Sequence, residues 1–206
     1  LSRDVVAFPD LLRQSDYNTY FLGKWHLGNE PDLLPPARGF DRSYALMEGF
    51  ASHFHDKGRF RPDQLGTYYE DGTFVENLPE DFFSTDFYTD QLIDYIDADV
   101  GSGKPWFAYL GYTAPHWPLQ APDEYIDKYK GVYDEGYEVL RAERIARGKA
   151  LGAIPQEAAM YPRLQTIPAW NDLSPGEKTV ASREMEIYAA MVDGIDQNLG
   201  RLLNHL

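Results

Sequence analysis

The chain has 206 residues, is 43% apolar and 15% aromatic, and carries 33 acidic against 19 basic residues for a formal net charge of −14. A chain of this size buries roughly 70% of the surface that its unfolded form exposes, so a packed core is within reach and a disordered or fibrous chain is excluded. The acidic balance excludes a general nucleic-acid or anionic-lipid binder, no apolar run nears the ~20 residues of a membrane-spanning helix, and the lack of cysteine excludes disulfides, thiolate metal sites and a thiol nucleophile.

The first residue is Leu, no charged and then apolar leader follows it, and the last residues continue a helical pattern without a stop. The expectation is a segment of something longer, which leaves its compartment open. Residues 4–15 set Val5, Phe8, Leu11 and Leu12 on one helical face, with Asp4 as the N-cap and Pro9 weakening the first turns. The short aromatic run 17–23 reads as a strand. The proline-rich stretch 29–38 reads as a loop, and 67–76 as a hairpin turning at Asp71–Gly72.

Residues 85–98 predict a helix with Tyr88, Leu92, Tyr95 and Ile96 on its apolar face, capped by Ser84 or Thr85. Its acidic residues Asp86, Asp90, Asp94 and Asp97 suit a solvated face. The apolar run 106–110 predicts a strand covered on both faces. Helix followed by such a strand is the rhythm of an α/β protein. Residues 134–152 predict an exposed helix. Residues 174–206 predict the longest one, opened by a Ser174–Glu177 capping box. Met185, Tyr188, Val192, Ile195, Leu199 and Leu202 mark its core-facing stripe.

In open α/β sheets, ligands bind beyond the carboxyl ends of the strands. Lys24 and His26 lie at the end of one predicted strand, and His116 lies beyond the other. An ammonium offers an oxyanion a fixed charge, and an imidazole exchanges protons near neutral pH. Lys24 and His26 project the same way if their segment is extended. The pair His53 and His55 has the spacing of a metal chelate, but its segment looks like a loop, and a pocket rim or solvated surface is the default reading. Trp25, Trp117 and Phe54 could line an apolar wall or pack in the core. No phosphate loop, serine elbow or zinc-protease motif occurs.

The run GKWHLG over 23–28 resembles a signature of the sulfatase family. So does the element Ala37-Arg38-Gly39-Phe40-Asp41, and so does the strand and loop FAYLGYTAPHWPLQ over 107–120. Residues 188–202 are similar to the helix that precedes that family's metal-binding segment, and the likeness runs through the chain, nearest to bacterial arylsulfatases. It implies the alkaline-phosphatase-like α/β fold, here incomplete, and hydrolysis of a small-molecule sulfate ester through a formylglycine nucleophile. Calcium, or magnesium, is implied as cofactor. Lys24 would then contact the sulfate and the formylglycine, His26 would hydrogen-bond the formylglycine and assist sulfate expulsion, and His116 would bind sulfate and protonate the leaving group. Trp117 is a weaker substrate-binding candidate.

The sequence has no C/S-x-P-x-R motif, from which formylglycine is made, and no metal ligand that the likeness transfers. The expectation is that residues 1–206 are the central part of a sulfatase catalytic domain, inactive alone and prone to self-association through exposed edges. A phosphonate or phosphodiester hydrolase of the same superfamily, and a non-catalytic binding module of the same fold, are the alternatives. A zinc hydrolase built on His53 and His55 ranks last.

Overall fold

A computed structural model describes residue 2, residues 4–59 and residues 63–206. The aromatic segment after Tyr17 forms β1 (Asn18–Lys24), and the chain returns through proline-rich 3-10 turns to β2 (Arg42–Leu46). These strands are parallel, with Tyr20 opposite Arg42 and Lys24 opposite Leu46. A hairpin follows, β3 (Tyr68–Glu70) and β4 (Thr73–Val75). Asp71 and Gly72 both take positive φ at its turn, as a two-residue type I′ connection requires. Helix α2 (Ser84–Asp99) then crosses to β5 (Trp106–Gly111), which pairs parallel with the other side of β1. The sheet order is β4-β3-β2-β1-β5.

Alternation along β1 and β2 feeds two cores. Tyr20, Leu22, Tyr44 and Leu46 pack with Tyr88, Leu92, Tyr95 and Ile96 of α2. Phe21 and Ala45 face the other way, among Trp25, Leu34, Phe40 and Met47. Central strands buried on both faces therefore read as continuous apolar runs. The expected apolar face of the α2 helix is the observed one.

Four expectations need correction. Helix α1 is Phe8–Gln14, with Ala7 as its N-cap. Pro9 suits the first turn of a helix but not its interior, so the helix starts beside it and Asp4 caps nothing. Val5, Phe8 and Leu11 are exposed rather than core-facing. The run 106–110 is not covered on both faces: β5 has a neighbour on one side only among the described residues, and Tyr109 is 54% exposed. Helix α2 starts after Phe83 with no side-chain cap.

The fourth correction concerns α5 (Pro175–His205). Its capping box is present: the Ser174 amide and hydroxyl donate to the Glu177 carboxylate at 2.8 and 2.7 Å, and the Glu177 amide donates back to the Ser174 hydroxyl at 3.3 Å. Its buried positions, however, include Ser182, Glu186, Ala190, Met191 and Asn198. Tyr188, Val192 and Leu199 of the expected stripe are exposed. The polar members are buried because they are partnered. Asn198 donates to the Asp86 carboxylate at 2.6 Å and to the Gly194 carbonyl at 2.9 Å. Asp90 pairs with Arg201, and Asp97 with His205, so the acidic residues of α2 receive α5 instead of forming a purely solvated face.

The chain divides into two compact units, one of residues up to Ala121 together with Met191–Leu206, the other Pro122–Ala190. The second contains α3 (Asp123–Ile126), α4 (Tyr137–Ala150) and the first part of α5. Helix α4 buries no residue, as its charged pattern predicts. Trp170 meets Tyr137 edge-on at 5.4 Å. Glu186 accepts from the Gly131 amide at 2.8 Å and from Arg183 at 2.9 Å.

Candidate active site

The parallel arrangement of β1, β2 and β5 puts their carboxyl ends at one edge of the sheet, and the first unit carries its chemical groups there. Lys24 is the last residue of β1. It is half-buried, and among the described residues its ammonium has no hydrogen-bond or ion-pair partner. Gly23 holds φ at +108°, and a Cβ there would lie 2.0 Å from the Gly111 carbonyl oxygen. The missing side chain thus lets the ends of β1 and β5 close up beside Lys24.

His26 does not follow Lys24 on an extended chain. The strand has ended and His26 takes φ +49°, so strand alternation does not aim the two side chains together. The segment after β2 positions His26 instead: a Cβ on Gly49 would sit 2.9 Å from its ring Cε1. The next residue, Phe50, stacks on the His116 ring at 5.2 Å and 6°. Gly49–Phe50 therefore lies against both imidazoles, one from the loop after β1 and one from the loop after β5.

His116 is exposed, and its Nδ1 lies 2.6 Å from the Trp117 carbonyl oxygen. A carbonyl only accepts, so Nδ1–H donates and Nε2 is left to a ligand. Trp117 meets Phe50 edge-on at 5.7 Å and is exposed. Trp25 is instead core, its indole N–H donating to the Leu33 carbonyl at 2.9 Å. Phe54 packs on Phe83 at 5.5 Å. Of the three aromatic candidates for a leaving-group wall, Trp117 alone stands open beside an imidazole. An apolar cleft of about 330 Å³ next to Lys24 is lined by Phe21, Trp25, Phe40 and Tyr109, with neither His26 nor His116 in it. The two imidazoles are thus joined by the Gly49–Phe50 segment, whereas Lys24 lines that cleft.

His53 and His55 are no chelating pair. His55 is exposed, whereas His53 is 1% exposed with both ring nitrogens engaged. Its Nδ1 lies 2.9 Å from Ser84 Oγ and its Nε2 3.1 Å from the His116 carbonyl oxygen. Burial holds its pKa below the ordinary imidazole value, which favours the neutral ring. Ser84, a predicted cap, spends its hydroxyl here. Gln120 Oε1 accepts from the His53 amide at 2.9 Å and from Ser52 Oγ at 3.1 Å. Sequence reasoning missed Gly49, Phe50 and Gln120. Only the glycine at the end of an apolar strand was a signal for close approach.

Among the described residues, no three acidic, imidazole or thiol groups converge as ligands of a metal ion. The calcium that the resemblance implies does not fit a seat made of the described residues.

The sheet with its flanking helices is that of the alkaline-phosphatase-like fold. The chain superposes on Ps i-CgsB in complex with k-i-k-neocarrahexaose with a TM-score of 0.65 at 24% identity, covering 100% of this chain and 37% of that one. For BT4656 in complex with D-glucosamine-2-N,6-O-disulfate the TM-score is 0.62 at 22% identity, with 100% and 47% covered. The sulfatase family model matches residues 1–206, and the chain belongs to that family. It is 40% identical to an uncharacterized sulfatase of Schizosaccharomyces pombe, covering 100% of this chain and 38% of that protein. It is 39% identical to an arylsulfatase of Klebsiella aerogenes, covering 100% and 44%. The chain thus spans about two-fifths of the length of these two relatives.

Proposed function

We propose that residues 1–206 are the central part of the catalytic domain of an enzyme that hydrolyses sulfate esters, aryl sulfates first among them. The observation that carries this is the meeting of His26 and His116 on Gly49–Phe50, beyond the strand β1 that ends in Lys24, in a chain of the sulfatase family. Lys24 supplies a fixed positive charge to a sulfate oxygen. In its doubly protonated form His116 keeps Nδ1–H on the Trp117 carbonyl, binds sulfate through Nε2–H and passes that proton to the departing oxygen, which leaves the ring neutral. His26 hydrogen-bonds the formylglycine and assists release of sulfate. Trp117 offers an aromatic leaving group a ring edge or face. Formylglycine, made outside these residues, supplies the nucleophilic oxygen. The aryl preference rests on the Klebsiella relative.

The test is steady-state turnover of 4-nitrophenyl sulfate and 4-nitrophenyl phosphate by the full-length protein that carries this chain. The sulfate is expected to be the better substrate. Lys24→Ala and His116→Ala are each expected to lower kcat by about 10²- to 10⁴-fold. The 206-residue chain alone is expected to turn over neither ester. Full activity in both variants, a preference for the phosphate, or turnover by the chain alone contradicts the proposal.

A further inference from the structure

We propose that His53 is a positioning residue for His116: its ring N–H holds the His116 backbone carbonyl, and so fixes where the His116 imidazole stands. This rests on the reading above that His116 works at the reacting ester. The geometry sets the tautomer. The His116 carbonyl can only accept, so His53 Nε2 carries the hydrogen at 3.1 Å. Nδ1 of the neutral ring must then accept, and Ser84 Oγ–H is the donor at 2.9 Å. Ser84 is the first residue of α2. The chain of contacts runs from the helix, through a fully used imidazole, to the backbone of His116.

A second set of bonds acts in parallel. Gln120, four residues beyond His116, receives the His53 amide and the Ser52 hydroxyl on one oxygen. The His116 amide donates to the Thr113 carbonyl at 3.0 Å. The loop after β5 is therefore clamped to residues 50–53 at both its histidine and its glutamine, and the Phe50–His116 ring stack lies between the clamps. The His53 ring itself is buried and cannot reach a substrate. A displacement of about 1 Å in a catalytic group costs on the order of 100-fold in rate, which sets the scale for losing this restraint.

The experiment uses the full-length protein, 4-nitrophenyl sulfate, and paired conservative variants. In His53→Gln, the side-chain amide reaches as far as Nε2 and keeps a donor for the His116 carbonyl. In His53→Asn, the shorter amide keeps only the Ser84 side. His53→Gln is expected to hold kcat/KM within about threefold of wild type, and His53→Asn to lose about 10- to 100-fold, carried by kcat. The loss is expected to disappear in the His116→Ala background, where no imidazole remains to be placed. An equal His53→Asn loss in both backgrounds, or wild-type activity in His53→Asn beside an inactive His116→Ala, overturns the role of His53 alone. Full activity in His116→Ala overturns the reading of the site, and the role of His53 with it.

Discussion

His53 is an imidazole with nowhere to put a charge. Burial is the larger cause of its lowered pKa, against a smaller opposing contribution from the His116 carbonyl. As pH falls below about 6.5, the unfolded chain takes up this proton and the folded one does not. Stability therefore drops with falling pH in that range, by at most about 1.4 kcal/mol per unit from this group. Urea denaturation at pH 7 and pH 5.5 is expected to show the drop in the wild type and a smaller one in His53→Gln; equal drops would contradict it. The placement of Lys24, His26 and His116 at or beyond strand ends was legible because strand ends can be found from apolar runs. The meeting of His26 and His116 on Gly49–Phe50 was not, because no spacing relates positions 26, 49 and 116. His53 was misread because the pattern His-x-His says nothing about burial.

Elements were legible where local chemistry decides them. The Ser174–Glu177 box is such a case: both partners lie within one turn, and the bonds form as the residues predict. Ser174→Ala is expected to cost about 1 kcal/mol. The bonds from Ser174 hold the Glu177 pKa below its ordinary value, so the contribution is present at neutral pH and fades as pH falls through the carboxylate range. Thermal denaturation of Ser174→Ala at pH 7 and pH 3.5 measures it, and an effect no smaller at the lower pH would contradict the assignment. The stripe on the same helix was not legible. Apolar periodicity picks the face that looks greasiest, but Asn198 and Glu186 turn inward because Asp86 and the Gly131 amide await them. Strand β5 misled in the same way: its apolar run has the composition of a central strand and an edge position in this sheet.

At the scale of the molecule, the α/β rhythm and the hairpin followed from the sequence, whereas sheet order did not. Parallel pairing of β5 with β1, rather than with its nearer neighbour in sequence, β4, depends on a crossover by α2. The apolar face of that helix must find Tyr20 and Tyr44 on the same side of the sheet. That crossover is what brings the loop bearing His116 alongside the loop bearing His26. The site is thus a property of the sheet as a whole. A series of aryl sulfates whose phenols span a range of acidity, turned over by the full-length protein, tests most directly whether His116 gives its proton to the departing oxygen. Wild-type kcat is expected to depend weakly on phenol acidity. His116→Ala is expected to depend on it steeply, its loss relative to wild type growing beyond that seen with 4-nitrophenyl sulfate as the phenol becomes less acidic. The same dependence in both proteins would contradict the assignment of His116 and, with it, the account of the site.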